Sequence, residues 1–333
     1  MKLILLDVLF IILLASTTFC QEGVKTYDCE YYSMSYSLLN NKLDGEFIEY
    51  YNDGTKSTQG KYLTNQRIGD WSFWDASGNL VLKRKYVNNY VFEQLYPQLQ
   101  LDESLNLLDG CKYYPVKNEQ DYFSYRHIRE NSVLYSKKVI SNMLATENLE
   151  WFPNGEFLQM LKDNKASDDF LVFEIFESYK SGLMQIDDFD NQKLIAFKFT
   201  EEYVFDRDVQ MMEYRILFIC PVFKNTLTGE VSDQNWFYFP KLIPYFAKMK
   251  IQMTNDNLEI SNLSDVFFFQ NFAKQIYGEY QLTSDHLGLI DIEPDFYKDA
   301  ASNMDKYQEE SFRILFEIIH VENKLIISNY SRM

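Results

Sequence analysis

The chain has 333 residues, 49 of them acidic against 32 basic, for a formal charge of −17, and 17% of its residues are aromatic. That length admits two domains at roughly one per 150 residues, and so acidic a chain without a Lys/Arg-rich face is not steered toward nucleic acid or anionic lipid. Protein or small-molecule partners are expected, and the aromatic content fits either a large core or surface buried against other proteins.

The first 20 residues read as an export signal. Lys2 supplies a positive start, residues 3–14 form an apolar run too short to span a bilayer, and residues 15–20 are small and polar. Cleavage after Cys20 gives a mature start at Gln21; a lipid anchor on Cys20 is the competing reading, opposed by Phe19. No later run approaches ~18 apolar residues, so no direct membrane span is expected. Of the remaining cysteines, Cys220 sits in an apolar run and reads as a buried small hydrophobe. Cys29 and Cys111 flank the first candidate domain and form a candidate disulfide in an oxidising compartment.

Between residues 44 and 89 the sequence copies itself. Gly45, Tyr50, Gly54 and Tyr62 recur 24 residues later as Gly69, Trp74, Gly78 and Tyr86. Each unit reads as a β-hairpin that turns at Asn52-Asp53-Gly54 or Ala76-Ser77-Gly78, and stacked hairpins bury a strip that one alone cannot. The pattern resembles the MORN-like repeats of the YwqK-type antitoxin family. That resemblance implies a small antiparallel platform for protein contacts, with Trp71 and Trp74 as candidate contact residues; a purely structural appendage is the alternative. Lys83-Arg84-Lys85 reads as a solvated strand edge. Residues 91–120 show no sustained period and read as a connector.

From residue 121 the units lengthen. A turn at residues 151–155 leads into a helix over 156–163, a short apolar run over 170–176 and a strand over 193–199, with Glu201-Glu202 placed in the bend before the strand over 211–220. Strands and helices alternate without a βαβ period or glycine fingerprint, which favours α+β. The stretch 215–251 is the most apolar: a strand (RILFICPVF), a turn with one glycine, then NWFYFPKLIPYFAKMKI as a second strand running into a proline-punctuated helix. On that strand Trp236 and Tyr238 share one face and Phe237 and Phe239 the other, and one pair is expected to face a partner. At the C-terminus residues 299–313 read as an amphipathic helix, and 312–321 with 325–329 as a hairpin across Glu322-Asn323; a single helix through His320 is the competing reading.

Four ordered blocks, KFTEEYVFD (198–206), MEYRILFICP (212–221), NWFYFPKLIPYFA (235–247) and SDVFFFQNFAKQI (264–276), with NLEWFP (148–153) upstream, resemble the gliding-motility protein N family (GldN/PorN-like). The resemblance covers about residues 121–280. It implies a non-enzymatic periplasmic component of the type IX secretion system, peripherally associated with the outer membrane. Its implied partners are a ring-forming outer-membrane lipoprotein and an inner-membrane-anchored motor or scaffold component, within a large oligomeric assembly. The chain then divides into a signal peptide (1–20), a β-repeat domain (21–110), a linker (111–120), an α+β domain (121–283) and an extension (284–333). A stand-alone repeat module that binds a protein, antitoxin-like or immunity-like, is the alternative.

Residue chemistry adds no activity. His127, His286 and His320 are scattered without metal-ligand spacing, so no metal or cofactor is expected. The acidic pairs Asp168-Asp169, Asp187-Asp188 and Glu201-Glu202 read as solvated loops rather than acid/base carboxylates, and no G-x-S-x-G elbow is present.

Overall fold

A computed structural model describes residues 23–97, 115–148, 152–153, 155–164, 167–173, 191–233, 235–251, 260–282, 287–291 and 296–331. Cys111, Trp151, Asp187, Asp188, His286 and the export segment 1–20 lie outside the described residues. The fold is α+β: an antiparallel sheet from the N-terminal part, then a mixed region with a second, larger sheet.

The first sheet contains β1 (Lys25–Asp28), β2 (Tyr32–Tyr36), β5 (Gly45–Tyr51), β6 (Lys56–Leu63), β7 (Gln66–Trp74), β8 (Leu80–Tyr86) and β9 (Phe92–Tyr96), in that spatial order. Two-residue strands β3 (Leu38–Leu39) and β4 (Lys42–Leu43) form a small arm beside it. The sequence repeat becomes a repeat of register. Gly45 pairs with Tyr62 and Tyr50 with Lys56; Gly69 pairs with Tyr86 and Trp74 with Leu80, and both hairpins carry a bulge one step before the last pair. The tips close identically, Tyr51 N on Thr55 O at 2.8 Å and Asp75 N on Asn79 O at 2.9 Å. Gly54 and Gly78 hold φ of 83° and 80°, the left-handed conformation that glycine adopts without strain.

At the opposite end of the hairpins an asparagine clamp also recurs, up to residue 89. Asn65 Oδ1 accepts from Leu43 N at 2.7 Å, and Asn89 Oδ1 accepts from Arg67 N at 2.8 Å, so each unit's asparagine ties down the chain of the unit before it. The chain then continues as β9, where the sequence suggested an irregular connector. Period-2 alternation sorts the faces. Tyr32, Met34, Phe47, Tyr62, Trp71, Phe73, Leu82, Tyr86 and Phe92 are buried on the inner face. Arg84 belongs to that face too. The strand that carries it is interior, between β7 and β9, so the basic run is not a solvated edge. Arg84 is buried, donates to Gln210 O at 2.9 Å and lies over the Phe92 ring at 4.1 Å.

The second sheet runs β11 (Val172–Phe173), β15 (Trp236–Tyr238), β13 (Met211–Asn225), β12 (Gln192–Asp206), β10 (Val133–Leu144), β16 (Gln275–Leu282), β17 (Leu287–Asp291), with β14 (Val231–Asp233) paired to β13. Its spine is the hairpin of β12 and β13, registered from Gln192 opposite Asn225 to Asp206 opposite Met211. Glu201 and Glu202 therefore lie inside a strand, not in a bend; the turn falls at residues 207–210, where Asp206 Oδ1 accepts from Asp208 N at 2.8 Å. Helices α1 (Gly155–Asn164), α2 (Phe239–Phe246) and α3 (Leu263–Phe268) cover one face. In α2 the buried Phe239, Leu242, Ile243 and Phe246 recur at helical spacing. Their rings join a cluster in which Phe267 stands 5.1 Å from Phe246, 5.5 Å from Phe239 and 5.7 Å from Phe199. Much of the aromatic content is thus spent inside the chain.

The C-terminus is one helix, α4 (Phe296–Tyr330), and not a hairpin across Glu322-Asn323. Ile314, Phe316, Ile318, Ile319, Asn323, Ile326 and Ile327 are all buried, because the helix contacts β7 and β8 on one side and β13 and β16 on the other. Burial on two sides overrides the β-branched local preference. Among the described residues no helix is long and apolar enough to cross a membrane.

Candidate functional site

The sequence-derived contact residues separate cleanly. Phe237 and Phe239 point into the ring cluster and Trp71 into the repeat-sheet core, all three buried, so none of them presents a contact surface. Phe237 faces inward because its register partner Ile219 does. Trp71 stacks against Phe47 at 5.8 Å and meets Tyr62 edge-on at 5.0 Å. Trp74 is half-buried on the outer face, its carbonyl accepting from Tyr51 Oη at 2.7 Å. Trp236 is half-buried and Tyr238 is 40% exposed, its ring 5.5 Å from Phe218. Among the described residues of this strand, Tyr238 is the one whose side chain is exposed. Cys29 is half-buried; its candidate partner, Cys111, lies outside the described residues.

The densest polar site joins the repeat sheet to α4. Arg67 on β7 donates to Glu322 Oε2 at 2.8 Å and to Asn323 Oδ1 at 2.9 Å, with its guanidinium 4.7 Å above the Trp71 ring. Asn323 Nδ2 donates in turn to Glu49 Oε2 at 2.6 Å. The other Glu49 oxygen meets His320 Nδ1 at 2.5 Å, and that imidazole stacks on Tyr32 at 3.9 Å. Alternation on β5 and β7 faces Glu49 and Arg67 inward, and helical spacing brings His320, Glu322 and Asn323 over them. Buried charges persist only when paired and hydrogen-bonded, and this chain of contacts meets that condition. His320 is thereby occupied as a structural residue.

A second cluster lies beneath it. Lys274 Nζ donates to Glu201 Oε2 and Tyr203 Oη, both at 2.8 Å, and more weakly to Gln270 Oε1 at 3.4 Å. Glu201 Oε1 accepts from Tyr214 Oη at 2.8 Å and Ser141 Oγ at 2.6 Å. Burial pulls the Lys274 pKa below the ordinary lysine value, against the opposing pull of Glu201. Glu201 is not in a solvated loop: β12 alternates with Phe199, Glu201 and Tyr203 all buried, and that alternation is the signal in the sequence for its inward position. With its three protons directed at neighbouring oxygens, Lys274 is a structural cation rather than a nucleophile. Between the two clusters, where the repeat sheet, the β12/β13 hairpin and α4 meet, is a cavity of about 100 Å³.

Glu147 sits beside this joint, with Oε1 accepting from Gln275 Nε2 at 3.2 Å and from Asn41 Nδ2 at 3.5 Å, while Oε2 is buried without a hydrogen-bond partner. Burial raises its pKa, against those two hydrogen bonds. A carboxyl whose folded pKa is raised contributes stability below its unfolded pKa and loses it as pH rises through the folded value. Glu147→Gln is therefore expected to raise Tm slightly near about pH 7 and to shrink the Tm difference between about pH 5 and about pH 7. Thermal melts of both proteins at the two pH values check this.

Among the described residues no group of three or more His, Cys, Asp or Glu side chains is placed to hold a metal ion. Asp169, of the Asp168-Asp169 pair, accepts from Tyr245 Oη at 3.1 Å and lies 3.4 Å from Lys241. The arrangement is one of joints and packed rings. No curated protein matches the chain significantly. A family model described as gliding motility associated protein GldN matches residues 116–326, well over half of the chain and including most of α4, so the chain belongs to that family.

Proposed function

We propose, with membership of the GldN family as the premise, that the protein is a non-enzymatic assembly subunit of a type IX secretion and gliding-motility apparatus. The family match is the observation that carries this reading. In it the protein is exported by its N-terminal signal and works in the periplasm, peripheral to the outer membrane. Its partners there are a ring-forming outer-membrane lipoprotein and an inner-membrane-anchored motor or scaffold component. The site supports an assembly role because its buried charges are committed to holding elements together. The Tyr238 side of β15, beside the two-residue strand β11 that ends the sheet, is the docking face of this reading.

Co-purification tests it. The full chain is expected to be recovered with an outer-membrane lipoprotein as a large complex, and deletion to abolish protein secretion or surface motility. A lone monomer and an unaffected deletion strain would overturn the reading. Tyr238→Ala is expected to leave the folding stability within about 0.5 kcal/mol of the parent, while lowering recovery of the complex about tenfold.

A second reading takes the repeats as MORN-like and the protein as a stand-alone module for protein ligands. It is favoured by the outer face of the repeat sheet, where Tyr50 and Trp74 are half-buried and not covered by α4. A monomer that captures a ligand through that face, with no lipoprotein complex, distinguishes it from the first.

A further inference from the structure

The cavity at the joint has an unbalanced hydrogen-bonding wall. Most of its side-chain acceptors are taken, Asn41 Oδ1 being the exception: Glu322 receives Arg67 at 2.8 Å and Met212 N at 3.1 Å, Asn65 Oδ1 receives Leu43 N at 2.7 Å, and Gln270 Oε1 receives Lys274 at 3.4 Å. Several donors are not. The Tyr203 hydroxyl oxygen accepts from Lys274 and the Ser311 oxygen from Ile276 N, each at 2.8 Å, but neither hydroxyl proton has a protein acceptor among the described residues. The same holds for Asn65 Nδ2 and Gln270 Nε2. A donor that gives up water without gaining a new acceptor costs its desolvation, so a wall with more open donors than acceptors favours an occupant that accepts.

Charge and shape narrow the occupant. Arg67 is paired with Glu322 and Lys274 with Glu201, so the cations are cancelled locally and an ion would enter at a desolvation cost with nothing left to neutralise it. Leu43, Leu315, Ile318 and Ile319 make the remaining wall apolar. A cavity of about 150 Å³ takes a benzene-sized molecule, so one of about 100 Å³ suits something slightly smaller. We propose that this cavity is a binding site for a small neutral molecule with a carbonyl acceptor, an amide or ketone, on a short apolar body. Binding displaces water that would otherwise fill a polar cavity of this size, and it clamps the repeat sheet, the hairpin and α4 together.

The test uses the full chain and N,N-dimethylacetamide, a neutral acceptor without donors, followed by saturation-transfer NMR, with isobutylammonium, which has donors and no acceptor, as control. Dimethylacetamide is expected to bind saturably in the millimolar range and isobutylammonium not at all. Gln270→Glu replaces a donor by an acceptor at nearly the same shape and keeps an oxygen for Lys274; it is expected to weaken binding about tenfold. Leu315→Trp fills the cavity from its half-buried wall and is expected to abolish binding. No saturable binding, equal binding of both compounds, or binding unchanged in Gln270→Glu would each overturn the proposal, whether or not Leu315→Trp folds.

Discussion

Gly60→Ala is expected to destabilise the protein by about 3 kcal/mol or more, at the upper end of overpacking costs. The Cβ it adds would lie 2.1 Å from Trp71 Cδ2 and 2.2 Å from Cε2, inside the indole itself. The ring has no room to retreat. It is enclosed by Phe47, Tyr62 and Tyr86 at 5.0 to 6.0 Å and capped by the Arg67 guanidinium at 4.7 Å. Position 60 corresponds to Arg84 one repeat later, so the two units are not interchangeable here: the first leaves space for an indole and the second fills it. Urea denaturation of the two proteins measures the loss, read as a lower midpoint at unchanged slope. A loss under about 1 kcal/mol would show that the sheet relaxes around the new methyl group.

Arg67→Ala is expected to cost about 3–5 kcal/mol, the range for removing one partner of a buried pair. The reason is what remains, not only what is lost. Glu322 keeps just Met212 N as a donor, Asn323 Oδ1 loses the donor it accepts from, and the face of Trp71 loses its cation. Arg67→Met with Glu322→Leu is expected to recover much of the loss, because two apolar side chains leave no orphaned charge. A double-mutant cycle between Arg67 and Glu322 separates their coupling from the rest of the joint. Additive losses would mean that the pair is not coupled and that the joint rests on the apolar contacts of α4 alone.

The hairpins of residues 44–89 and their turns were legible in sequence, because hairpin turns depend on local conformations that glycine and asparagine supply and on a period of two that sorts faces. The strand and proline-punctuated helix of 236–246 were legible for a similar reason. Which face of Trp236-Phe237-Tyr238-Phe239 meets solvent was not, since alternation fixes that two faces exist and says nothing of what covers them. Trp71 shows the same limit: an aromatic repeated in a β-pattern serves equally as core or contact residue until something is packed upon it.

The joint was the least legible part. Glu49, Arg67, Glu201, Lys274 and Glu322 each look like ordinary surface charges in an acidic chain, and the bonds Arg67–Glu322, Lys274–Glu201 and Glu49–Asn323 join residues 255, 73 and 274 positions apart. The sequence by itself determined the repeat, its turns, the alternation of the strands and the α+β class, all of which follow from interactions between near neighbours. Only the tertiary structure decided that residues 312–330 are a helix, that the repeat sheet closes over that helix instead of standing apart, and that these charges are buried. The physical reason is the same in each case: burial on two sides and pairing across long separations outweigh the local preferences that a sequence displays.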